Sequence, residues 1–115
     1  MQHDPRAYLW DVREAADAIL SFVQGVDFET YANTPLIHSA VERKFEIIGE
    51  ALNNLSRLDP TLGRRIPGLE RVVAFRNLLI HGYAVVEHAR VWKVAQQSLP
   101  ELRSVVALLL DELDK

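Results

Sequence analysis

Residues 34–58 read TPLIHSAVERKFEIIGEALNNLSRL, and this stretch decides the fold. Thr34-Pro35 is a helix start: a hydroxyl at the N-cap, then a proline whose fixed φ and missing N–H suit the first helical position. Apolar residues follow at Leu36, Ile37, Ala40, Val41, Phe45, Ile48, Leu52 and Leu55. Steps of three and four place them on one face of a helix running to about Leu58. Gly49 sits inside that helix, where it costs about 1 kcal/mol against Ala. Close approach of a second helix is a reason to keep a glycine there.

The same grammar extends both ways. Upstream, Asp4-Pro5 opens a helix with a stripe at Tyr8, Leu9, Val12, Ala15, Ala16, Ile19, Leu20 and Val23. Gly25 stops it, and Asp27 to Ala32 reads as one short helical turn. Downstream, Asp59 to Gly68 holds two Pro and two Gly and reads as the main loop. A third long helix runs from about Leu69 to His81, and Gly82 interrupts or ends it. Helix resumes near Val86 and carries Val91, Trp92 and Val94. Ser98-Leu99-Pro100 signals a break and restart. Leu102, Val105, Val106, Leu109 and Leu113 stripe the last helix. There is no strand alternation, internal repeat or low-complexity segment. The expectation is a single all-α domain over residues 1–115, an antiparallel bundle of four to five main helices.

Composition fits that reading. Of 115 residues, 49% are hydrophobic and 25% charged, which excludes a disordered chain. Surface scaling gives roughly 6,400 Å² folded, so about two-thirds of the extended surface can be buried without staples. No cysteine is present, which removes disulfides, thiolate chemistry and cysteine-ligated metals. The longest apolar run, Val105 to Leu110, falls far short of the roughly 20 residues that span a bilayer. The N-terminus lacks a signal-peptide pattern, so a cytoplasmic chain without membrane contact is expected. Thirteen Lys and Arg oppose sixteen Asp and Glu, a formal charge of −3. A non-specific nucleic-acid binder is usually basic, so any nucleic-acid chemistry must rest on a local patch.

The densest polar cluster is Arg76-Asn77-Leu78-Leu79-Ile80-His81-Gly82-Tyr83. At about 100° per residue, Arg76, Asn77, His81 and Tyr83 fit within an arc of roughly 160°, with Leu78 and Leu79 pointing toward a core. One helix edge then carries a guanidinium that can grip phosphate, an amide, an imidazole suited to proton transfer, and a phenol. The plainer alternative is a C-terminal histidine favoured by the helix dipole and an arginine paired to a carboxylate. Arg43, Glu46 and Glu50 share an edge of the 34–58 helix. They read as a surface ion-pair row, as carboxylates that hold Arg76 from a neighbouring helix, or, weakly, as metal ligands. His3 reads as solvated. His38, one turn before Glu42, and His88, four before Trp92, read as ordinary helix-surface residues. Arg64, Arg65 and Arg71 form a modest basic group. Trp10 and Trp92 read as core or interface residues.

The 76–83 stretch resembles the R-x4-H-x-Y motif of the HepT-like toxins, members of the HEPN (higher eukaryotes and prokaryotes nucleotide-binding) superfamily. Residues 43–51, RKFEIIGEA, are similar to that family's R-x-x-E-I-I-G-E-A segment, and Val91-Trp92 and Leu99-Pro100-x-Leu102 fit its C-terminal half. The resemblance implies a HEPN-like homodimer whose two motifs meet across the two-fold axis as one composite RNase site. By resemblance, Arg76 polarises the scissile phosphate, His81 moves a proton, Asn77 orients the site, and Arg43, Glu46 and Glu50 support it. No metal or other cofactor is implied. The substrate is RNA, either tRNA or mRNA. The implied partner is an MNT-type nucleotidyltransferase antitoxin that transfers AMP onto Tyr83. A competing reading is a non-catalytic nucleotide-binding or regulatory partner of a nucleotidyltransferase.

Overall fold

The long central helix, α3 (Pro35–Leu58), has the bounds its start and stop signals dictate. Its inner face is Val41, Phe45, Ile48, Gly49, Ala51, Leu52 and Leu55, all buried. Leu36 does not belong to that face: it is 83% exposed. The computed structural model describes residues 4–81 and 87–114.

Around α3 the other elements assemble in order. Helix α1 (Pro5–Val23) is capped by the Asp4 carboxylate, which accepts from the Arg6 N–H. It buries Leu9, Val12, Ala15, Ala16, Ile19 and Val23. Gly25 follows with a φ of +72°, the left-handed region where glycine carries no Cβ penalty. Helix α2 (Phe28–Asn33) is capped by Asp27 and delivers Tyr31 to the core. The 59–68 loop contains a short helix that the sequence reading does not expect, α4 (Pro60–Gly63). Asp59 ends α3 and caps α4, its carboxylate accepting from the Leu62 N–H at 3.0 Å. Helix α5 (Leu69–His81) then packs across α3. Phe45 and Phe75 meet edge to face, ring centroids 5.3 Å apart.

The C-terminal part corrects an expectation. Helix α6 (His88–Lys93) and helix α7 (Leu99–Leu113) are joined without a break by a π-helical turn, Val94–Ser98. The Leu99 N–H reaches back five residues to the Val94 carbonyl. Pro100 supplies the reason. Inside a continuous α-helix its ring would clash with the carbonyl four residues earlier, and a widened turn just before it relieves that contact. The restart signal therefore marks a bulge in one rod. Helix α7 packs on α1, and α6 packs on α2. Its core side is Leu99, Leu102, Val106, Leu109 and Leu110, whereas Leu113 is exposed at the frayed end.

No strand occurs among the described residues. The folded surface is 7021 Å², somewhat above the roughly 6,400 Å² expected of a compact chain of this mass. Part of the excess is exposed apolar surface, including Leu78 and Ile80 on α5.

Candidate active site

The site grows from one close approach. An added Cβ on Gly49 would fall inside the contact distance of Arg76 Cβ and lie 2.7 Å from its Cγ. The glycine thus lets α5 rest its Arg76 stem directly on the α3 backbone, which explains an otherwise unfavourable residue in mid-helix. One residue on, Glu50 pairs through its carboxylate with Arg76 Nη2. On the other side Arg76 Nη1 donates to Asn77 Oδ1 at 2.8 Å. The guanidinium is held at both ends, and its Nε is buried without a partner. On the Arg43, Glu46, Glu50 edge it is Glu50 that holds Arg76, while Arg43 and Glu46 line the same hollow.

Behind Arg76 lies a hollow of about 320 Å³ where α1, α3 and α5 meet. Arg43, Glu46, Glu50 and Arg76 line it, with Ile47, Ala51 and Ile80. Tyr8, Asp11 and Asn54 also line it and are absent from the sequence-level site. Asn54 continues the Arg43–Glu46–Glu50 edge by one turn, so that spacing could have found it. Asp11 and Tyr8 come from α1, and no pattern within one helix points across to another. Three carboxylates against two guanidiniums make this hollow a socket for Arg76 rather than a cradle for phosphate.

Asn77 and His81 lie on the outer side of α5, both exposed. His81 is the last residue of α5 and does not line the hollow. Leu78 departs from expectation: it is 42% exposed and points away from the core. Helix α5 buries only Leu69 and Phe75 fully, which leaves its outer edge without a covering layer in one chain. Tyr83 and Gly82 lie outside the described residues, as does His3.

Other expectations resolve individually. Arg65 pairs with Glu112 at 2.7 Å, tying the α4 region to α7. Arg71 lines a larger hollow, about 510 Å³, between α5 and the α6–α7 rod, and no residue of the 76–83 motif is among those lining it. Trp92 is half-buried against Tyr31, centroids 5.0 Å apart. Trp10 is not core: it is 48% exposed and lies under the Arg13 guanidinium at 4.5 Å. His38 and His88 are not ordinary surface residues. They come from different helices, are half-buried, and stack with centroids 4.1 Å apart. Neither spacing nor composition could show that, because the pairing is tertiary.

A model of the family described as Ribonuclease HepT-like matches residues 12–109. The chain belongs to the HepT-like family. Among curated relatives, "Putative RNase MJ1380" of Methanocaldococcus jannaschii is 30% identical over 94% of this chain and 98% of its own length. "Probable ribonuclease HepT" of Thermococcus cleftensis is 33% identical over 90% of this chain and 93% of its own. No solved structure matches the chain. The HepT-like match runs from Val12 within α1 to Leu109 within α7, so it includes both the Gly49–Arg76 contact and the His81 edge.

Proposed function

We propose that this HepT-like chain is a metal-independent endoribonuclease toxin, acting as a homodimer in which two α5 edges face one another. One observation carries the reading: Arg76 is fixed between Glu50 and Asn77 at the rim of an exposed edge that also bears His81. An arginine merely neutralised by a carboxylate would not need a glycine notch and a second hydrogen bond to set its angle. The relatives' names, "Putative RNase" and "Probable ribonuclease HepT", support the same chemistry.

In the proposed reaction the RNA 2′-oxygen attacks the adjacent phosphorus as its proton is removed. The P–O5′ bond breaks, and the leaving 5′-oxygen takes up a proton. The outward N–H groups of Arg76 stabilise the extra charge on the non-bridging oxygens. His81 handles one of the two protons, and the second copy's motif supplies the other partner. The nucleophile belongs to the substrate, so no ion is required to generate it. Exposed Leu78 on the same helix supports burial against a second copy, and the isologous arrangement doubles one short motif into a full site. With a chain charge of −3, cations gathered in one cleft govern RNA approach.

An MNT-type nucleotidyltransferase would place AMP on Tyr83, the motif phenol, where the added phosphate would compete for Arg76. Co-expression with such a partner is expected to add the mass of one AMP, absent in Tyr83→Phe.

The deciding experiment is His81→Ala and Arg76→Ala with purified chain and RNA. Both should lose cleavage by at least about 100-fold while the far-UV circular dichroism is unchanged. Cleavage by wild type should persist in excess EDTA. Retained cleavage in His81→Ala would remove His81 from the proposed proton transfer, and nucleotide binding without any cleavage in wild type would replace the nuclease with the regulatory reading.

A further inference from the structure

A second polar cluster lies toward the other end of α3. Glu42 and Glu50 are separated by eight residues, about 12 Å along the helix axis, so the cluster stands clear of the Arg76 socket. His38 and Glu42 are one turn apart on α3, His88 opens α6, and Tyr31 comes from α2. One ligand-type atom from each of His38, Glu42 and His88 lies within 4.8 Å of the other two. His38 Nδ1 and a Glu42 carboxylate oxygen are 3.5 Å apart. Two ligands at a tetrahedral zinc with bonds of about 2.1 Å are separated by about 3.4 Å, so this pair already has the required span.

The polar atoms here lack partners. His38 Nδ1, His88 Nδ1 and Tyr31 Oη are all buried without a hydrogen bond. The 3.5 Å contact to Glu42 is close enough for an ion pair but lacks hydrogen-bond geometry. Tyr31 is fully buried and meets both imidazoles edge-on at 6.2 Å. Burial, and then the nearby Glu42 charge, push its phenol above the usual range, so it stays a donor. Buried polar atoms in folded proteins are almost always satisfied, and three orphans in one place call for a ligand. Two imidazoles and a carboxylate converging in a half-buried site are the donor set of a divalent transition metal.

We propose that His38, Glu42 and His88 bind a divalent transition-metal ion of the zinc class, with water completing its coordination and Tyr31 Oη hydrogen-bonded within the site. The ion clips the start of α6 to α3. Its role is structural, and it stands independently of the nuclease reading.

The test uses the untagged full chain, stripped with chelator and titrated with Co(II) as the spectroscopic probe. The expected result is a visible absorption band that saturates at one equivalent per chain, is displaced by Zn(II), and is accompanied by a Tm several degrees higher. His38→Gln, His88→Gln and Glu42→Gln should each lose the band or weaken binding at least tenfold, and His81→Gln should keep it. Imidazole nitrogen shifts on Zn(II) addition should report His38 and His88, leaving His3 and His81 unmoved. A wild type without a saturable band overturns the site, as does a band that survives both histidine substitutions, or shifts confined to His3 and His81. If one variant fails to fold, the other two and the wild-type nitrogen shifts still decide the matter.

Discussion

Arg76 shows how much one side chain can demand of its neighbours. Its stem occupies the space a Cβ on residue 49 would fill, and its head is held by Glu50 and Asn77. Glu50→Gln is expected to cost less than about 1 kcal/mol in stability, because the pair is partly solvated. Cleavage should nevertheless fall about 10–100-fold, since a guanidinium free to swing no longer meets the phosphate in register. Urea denaturation beside an RNA-cleavage assay separates the two effects. At this scale the sequence was informative where chemistry repeats along one helix: spacing puts Arg76, Asn77 and His81 on one edge, and the resemblance to the HepT-like motif is what suggests roles for them. Asp11, Tyr8 and the His38–His88 stack were not legible, since each depends on which helix lands beside which.

Elements carry different predictions. Gly49→Ala adds helix propensity of about 1 kcal/mol but forces α5 off α3, an overpacking cost of about 1–3 kcal/mol. The net expectation is a loss of up to about 2 kcal/mol, with cleavage impaired as in Glu50→Gln, read from a urea curve and the same RNA assay. Phe45→Ala removes the edge-to-face contact with Phe75 and should destabilise by about 3–5 kcal/mol. Helix α2 has an acid-sensitive cap. The Thr30 N–H holds the Asp27 carboxyl below its ordinary range. A depressed folded value means the cap's contribution is present above the ordinary carboxylate range and is lost as pH falls through the depressed one. Amide exchange in α2 should accelerate there, and Asp27→Ala should show the acid behaviour already at neutral pH. Helix limits were legible wherever a cap or proline marks them, as at Asp4-Pro5 and Thr34-Pro35. They were not at Ser98-Leu99-Pro100, where one proline signal fits both a stop and a bulge.

At the scale of the whole molecule, the outer edge of α5 has no layer of this chain packed over it. Leu78 is exposed beside the motif, and a single chain offers RNA only half of the proposed constellation. Leu78→Asp should shift the proposed dimer toward monomer in analytical ultracentrifugation and abolish cleavage, while circular dichroism stays that of a helical chain. Retained cleavage by a monomer would show that one α5 edge suffices. The core and helix order were legible because the apolar stripes are regular. The exposed side of α5 was not legible, because Leu78 looks the same in sequence whether it faces the chain's own core or not.

The widened turn at Val94–Ser98 has a reach beyond its five residues. A single surplus residue in one turn swivels everything after it by about 100° relative to a plain α-helix. The α6 half of the rod can therefore address Tyr31 and α2, while the α7 half addresses α1, although the apolar spacing along the rod never changes phase. Forcing ordinary winding through Val94–Ser98 with every residue kept would swing Leu102, Val106 and Leu109 out of alignment with α1, whereas deleting Gln96 takes out the surplus residue together with the bulge and should leave the C-terminal half seated.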